Sequence, residues 1–254
     1  WRSRKQNTHT QVVVKHVQSP LPGSVEHDRP THVVVTSTRY PLVVQLTPPS
    51  TRNPFYTCVA RVLREKGWDF RFSTDFNEIA RIVEAAGRPV VLHLHQFEPF
   101  YRHEDPKVAE KRVSALISFL EKMQRRGAVL VHTLHNRQPH DGLYLHLDAR
   151  IMRSLNRFAD RVIVLGENAR SFAEQFVPRE RVTVVKHPHF KGVYGSRVPK
   201  VEARKRLAIP ENDFVFLSLG DLKPYKGHKL IMEAFATANI DNARLMVVGG
   251  HAPG

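Results

Sequence analysis

From about residue 31 the chain alternates short β-branched apolar runs with longer stretches whose apolar positions recur every three or four residues. The runs THVVVTS, PLVVQLTP, WDFRFS, PVVLHLH, AVLVHTLH, RVIVLG and VTVVKHP read as strands, because β-branched and aromatic side chains suit a pleated surface. Between them RNPFYTCVARVLREKG, FNEIARIVEAAG, KVAEKRVSALISFLEKMQRRG, HLDARIMRSLNRFA and ENARSFAEQF read as helices. In the longest, Ala109, Val113, Leu116, Ile117 and Leu120 mark one apolar face, and Gly127 offers a C-terminal cap. Strands apolar on both faces that alternate with helices predict a parallel sheet wrapped by helices. The expected fold class is therefore α/β, doubly wound and Rossmann-like.

The rhythm is interrupted twice. Residues 1–30 mix basic and polar residues with Pro20, Pro22, Gly23 and Pro30 around the single run VVV at 12–14, which reads as a poorly ordered basic leader or the remnant of an edge strand. The stretch HPHFKGVYGSRVPK, rich in Gly, Pro and basic residues, predicts a domain boundary near 190–200. The expected organisation is a leader over 1–30, a first domain over 31–195 and a second over 196–254. In the second, FVFLSLG at 214–220 reads as a buried strand, and Leu230, Ile231, Ala234, Phe235 and Ala238 as the apolar stripe of a following helix. About 55 residues lie beyond the boundary, roughly half or less of an ordinary domain, so the second domain is expected to be incomplete.

Composition narrows the function classes. The net charge of +15, from 39 Lys and Arg against 24 Asp and Glu, favours anionic partners: phosphorylated substrates, acidic lipid surfaces or nucleic acid. The charges are scattered, and neither zinc-finger spacing nor an aromatic-basic sheet signature is present, which argues against nucleic acid. The chain has no apolar run of the roughly 20 residues that a membrane span requires. Cys58, the single cysteine, excludes an internal disulfide and fits a reducing cytoplasm.

Candidate chemistry collects where the strands end, the place ligands bind in open α/β sheets. After PVVL come His93, His95, Gln96 and Glu98; after AVLV come His132, His135, Asn136, His140 and Asp141; after VTVV come Lys186, His187 and His189. Side chains alternate along a strand, so HLH presents both histidines to one side and HTLH does not, which argues against a shared metal. Taken singly, most of these residues read as polar groups satisfying loop backbone. In GDLKPYKGHKLIMEAF at 220–235, a strand-to-helix turn carries Lys223 and Lys226 between two glycines. A helix N-terminus with nearby ammonium groups suits a phosphate, although lysines there are commonly plain solvated charges.

That stretch, with the preceding EARKRLAIPENDFVFLSLG, resembles the start of the C-terminal domain in retaining GT-B glycosyltransferases of the glycosyltransferase family 4 type. VHTLHNRQPHDG and VKHPHFKGVYG are similar to the acceptor-domain loops and interdomain connection of bacterial polysaccharide transferases. The resemblance implies two Rossmann-like domains facing across a cleft. It also implies transfer of a sugar from a nucleoside diphosphate sugar to a glycan or lipid-linked acceptor, with retention. Carried over by residue, it implies Lys226 and His135 as catalytic groups, and Gly220, Lys223, Lys226 and Gly227 around the donor phosphates. It further implies His95, Asn136, His140 and Asp141 on the acceptor side. No cofactor or metal is expected, because the cations stabilise the leaving diphosphate. A cytoplasmic location with peripheral contact to anionic membrane is expected, and a non-catalytic glycan-binding or anion-binding module is the alternative. The sequence departs from the family at Asp221, where many relatives carry Arg, and in TPPSTRNPFYT, which replaces a glycine-rich loop and whose Asn53, Pro54 and Phe55 are expected to serve the same cleft.

Overall fold

The computed structural model describes residues 11–16, 41–47, 54–138, 142–190 and 193–250. The chain divides into a larger unit, Val25–Val193, and a smaller one that joins Trp1–Ser24 to Tyr194–Gly254. The first strand, β1 (Gln11–His16), belongs to the smaller unit.

In the larger unit β2 (Leu42–Leu46), β3 (Asp69–Phe72), β4 (Val90–Leu94), β5 (Val129–Leu134), β6 (Arg161–Val164) and β7 (Val182–Val184) form one sheet in the order β3-β2-β4-β5-β6-β7. Every neighbouring pair is parallel. The connecting helices are α1 (Pro54–Glu65), α2 (Phe76–Ala85), α3 (Glu98–Tyr101), α4 (Pro106–Arg125), α5 (Leu145–Phe158) and the short α6 (Arg170–Ala173). Because successive β2 side chains point to opposite faces, Val43 packs with Ala60 of α1 and Phe70, while Leu42, Val44 and Leu46 join the core under α2, α4 and α5. The sheet is therefore wound on both sides, as its apolar runs predict. Ala109, Val113, Leu116 and Leu120 are buried along α4, with Ile117 partly buried beside them.

Capping explains where the helices begin and end. The Asp75 carboxylate accepts from the amides of Asn77 and Glu78 at the start of α2, at 2.8 and 3.2 Å. Asp105 accepts from Lys107 ahead of α4, whose Pro106 needs no amide partner. Gly127 closes α4 at φ +87°, a conformation that favours glycine. The expected helix over ENARSFAEQF is shorter in the structure: a 3-10 turn at Glu167–Ala169 leads into α6, and the chain then runs in turns to Pro178. The expected strand THVVVTS lies outside the described residues.

In the smaller unit β8 (Phe214–Leu219) and β9 (Ala243–Gly249) join β1 in a three-stranded parallel sheet of order β1-β9-β8, with helices α7 (Lys200–Arg206) and α8 (His228–Ala238). Residues 11–16, within the stretch read as leader or edge-strand remnant, thus form an edge strand. The central strand β9 carries the core: Ala243, Leu245 and Val247 pack with Phe235, Leu222 and Met232. One expectation is corrected here. FVFLSLG reads as a buried strand, yet Leu217 is 60% and Leu219 75% exposed, and Leu230 of the α8 stripe is 69% exposed. The reason is position: among the described residues β8 lies at the sheet edge and pairs with β9 alone, and Phe235 is the one buried residue of the helix beside it.

Candidate active site

Strand order reverses between β2 and β4, since the chain builds β3 on one side of β2 and then β4, β5, β6 and β7 on the other. Crossovers on opposite faces open a crevice at the carboxyl ends of such a pair. Gln45 lies there opposite His93 in register. His93 and His95, two residues apart, share the face covered by α1; His132 pairs with Leu94, points to the other face and stacks on Phe97 at 4.7 Å.

On the α1 face the imidazoles form a connected group. His95 Nδ1 lies 2.7 Å from His135 Nε2, and His93 Nε2 lies 2.8 Å from Thr133 Oγ1. The His93 and His95 rings are 4.2 Å apart. Phe55, at the start of α1, sets its ring against His95, His135 and His187 at 5.6, 4.9 and 5.3 Å, and Tyr56 meets His95 at 4.9 Å. Burial among these rings disfavours the imidazolium form. It lowers His93 to about 4, with His135 adding to the effect; it lowers His135 to about 4, with His187 adding. His132 falls to about 3, and His95 is held far below the ordinary range, in both cases first by burial and then by neighbouring histidines. His93, His95, His132 and His135 are thereby held neutral at physiological pH.

Beside it a hollow is lined by His95, Glu98, His135, Asn136, Arg137 and Asp148 among others. The buried Tyr101 hydroxyl donates to Asp148 at 2.8 Å, and its own ionisation is pushed upward, first by burial and then by that carboxylate. A second shallow hollow of about 480 Å³ shares His135, Asn136 and Arg137 and extends to Gly166 and Asn168. Arg137 donates to the Asn168 carbonyl, which ties the loop after β5 to the loop after β6.

In the smaller unit the lysine turn leaves β8 through Gly220 at φ +144° and enters α8 through Gly227 at φ +69°. Gly227 caps α8 and has no side chain with which to accept from the first-turn amides. Lys223 is half-buried and Lys226 exposed, with its ammonium 5.4 Å from the centre of the Tyr225 ring. His228 braces the turn: Nε2–H donates to the Asp221 carbonyl at 3.1 Å, which leaves Nδ1 to accept from Ser218 Oγ at 3.3 Å. Gly249 is needed for the same closure, because a Cβ there would stand 1.7 Å from the Gly220 carbonyl oxygen.

Of the residues singled out in the sequence, His95, His135 and Asn136 come together on one rim, and Gly220, Lys223, Lys226 and Gly227 form one turn. His140, Asp141 and Asn53 lie outside the described residues. Thr133, Tyr56 and His228 join these sites without a local sequence signal, because strand pairing, the packing of α1 and the folding of the turn bring them there. Among the described residues no group of three or more His, Cys, Asp or Glu has metal-holding geometry.

Comparison with known proteins bears on both units. The sequence model of the family "Glycosyl transferases group 1" matches residues 199–253, the segment that holds the lysine turn. That segment is therefore similar to glycosyltransferase group 1 domains. The lipopolysaccharide 1,2-N-acetylglucosaminetransferase of Salmonella typhimurium is 28% identical over 122 residues, covering 47% of this chain and 32% of that protein. The chain thus spans about a third of the length of that curated relative. Alr3699/HepE of Anabaena, solved in complex with UDP and glucose, matches with a TM-score of 0.56 at 14% identity, over 84% of this chain and 62% of that one. Its complex with UDP-glucose matches at 0.54 and 15% identity, over 82% and 60%. At such identities these structures establish a shared α/β, Rossmann-like fold.

Proposed function

We propose that the full-length protein is a glycosyltransferase that moves a sugar from a nucleoside diphosphate sugar to a glycan or lipid-linked acceptor, with retention, in polysaccharide assembly. The observation that carries this reading is the lysine turn: Lys223 and Lys226 stand at the carboxyl end of β8, ahead of an α8 N-terminus whose cap residue, Gly227, has no side chain to occupy the first-turn amides. A departing diphosphate gathers negative charge in the transition state, and preorganised cations and amides stabilise that charge more than the ground state. The UDP and UDP-glucose bound by HepE, and the sugar transfer for which the Salmonella relative is named, support the donor class. On this reading the histidine rim of the larger unit supplies sugar and acceptor contacts through His135 and Asn136, with His140 and Asp141 beside them in sequence.

No helix of the described residues is long and apolar enough to cross a membrane. A cytoplasmic location with peripheral contact to anionic lipid, using the +15 surface, belongs to the same proposal.

The test is a transfer assay of the full-length protein with a panel of uridine diphosphate sugars and glycan acceptors, with the product's anomeric configuration read by NMR. Transfer with retention is the expected result. Acceptor binding with no donor affinity and no turnover would replace this reading with a non-catalytic binding module.

A further inference from the structure

We infer that His95 is a positioning residue for His135: it donates from Nδ1–H to His135 Nε2, and so fixes His135 as a hydrogen-bond donor at Nδ1 rather than a general base. Two neutral imidazoles 2.7 Å apart share one proton between the facing nitrogens, so the tautomer of one dictates that of the other. In one arrangement His135 donates from Nε2, and His95 must then carry its proton on Nε2. In the other His95 donates from Nδ1, and its Nε2 is a bare lone pair.

The surroundings of His95 decide between them. Its Nε2 is buried without a hydrogen-bond partner, and the residue is only 2% exposed. Phe55 and Tyr56 meet its ring at interplanar angles of 77° and 83°, so the most that an N–H on Nε2 could find among them is a weak contact with a π face. On another side stands His93, whose Nε2 is engaged with Thr133 Oγ1. An orphaned buried N–H is disfavoured more than an orphaned acceptor. The proton of His95 therefore sits on Nδ1, and that of His135 on its own Nδ1.

The role in transfer rests on the proposed function; the tautomer does not. His135 would hold a sugar or acceptor oxygen by donation from Nδ1, and the deprotonation of the attacking hydroxyl falls to another group.

The deciding measurement is a long-range ¹H–¹⁵N spectrum of this chain labelled in histidine, at pH 7.5. His135 is expected in a single Nδ1–H tautomer, with Nε2 at the shift of an unprotonated ring nitrogen. His135 protonated on Nε2, or averaging between tautomers, would overturn the inference without any variant being made. In His95→Phe, which keeps a ring but removes the donor, His135 should relax towards the ordinary tautomer mixture. In His95→Asn, whose carboxamide N–H stands where Nδ1–H was, the Nδ1–H form should return. In the full-length protein His95→Phe should lower kcat about tenfold with little change in donor KM, and His95→Asn should recover most of it. Equal activity in His95→Phe and wild type would remove the positioning role, whereas a wild-type protein with the expected tautomer and no transfer activity would fail the proposed function alone.

Discussion

Lys226 is the residue on which the proposed chemistry turns, and its exposure makes it a clean probe. Lys226→Ala removes only an exposed contact with the Tyr225 ring, so circular dichroism should be unchanged while kcat falls about 10²-fold or more, the scale expected for losing one preorganised transition-state contact. A variant with normal turnover would refute the donor-site assignment. Gly249→Ala works through the backbone instead. Its Cβ would overlap the Gly220 carbonyl, so the turn must shift, and both donor affinity and the stability of the smaller unit should drop together in calorimetric titration and thermal melts. At this scale the lysine turn is legible in sequence because its parts are contiguous. The His95–His135 contact is not, because its partners lie 40 residues apart and meet only once β4 and β5 pair.

Among the elements, the helices of the larger unit show how local signals and packing agree. Asp75 caps α2 through two amides, and the buried Ile79 follows one turn later. Asp75→Ala should therefore lower stability by about 1 kcal/mol, the usual cost of a lost N-cap, measured from urea midpoints. An unchanged midpoint would mean that packing alone holds the helix, for instance through Phe76, which stacks on Phe119 of α4 at 4.2 Å. The strand β8 shows where local signals and structure part. Its apolar composition predicts burial, but burial is conferred by neighbours, and among the described residues β8 pairs with one strand, with Phe216 against Phe235 of α8. Composition reports what a strand could bury, not what covers it.

Across the molecule, the buried histidines tie the stability of the larger unit to pH. His93, His132 and His135 are lowered in the folded state to about 4, 3 and 4, while the unfolded chain binds protons near the ordinary value of about 6.5. Between those values the unfolded state holds more protons, so stability is full above pH 6.5, falls as pH drops and levels for these groups below about 3. Urea midpoints should thus decline already between pH 6.5 and 5, above the range where carboxylates titrate; a flat profile there would show that the imidazoles are not buried in solution. The alternation of strand and helix, the cap at Gly127 and the lysine turn were determined by the sequence itself, because each rests on neighbours within a few residues; helices on both faces followed from strands that are apolar on both sides. The tertiary structure alone decided the strand order with its reversal between β2 and β4, the gathering of the histidines beneath α1, and the exposure of β8. These depend on which distant segments pair, and the local pattern of a strand is the same whether it lies at the centre of a sheet or at its edge.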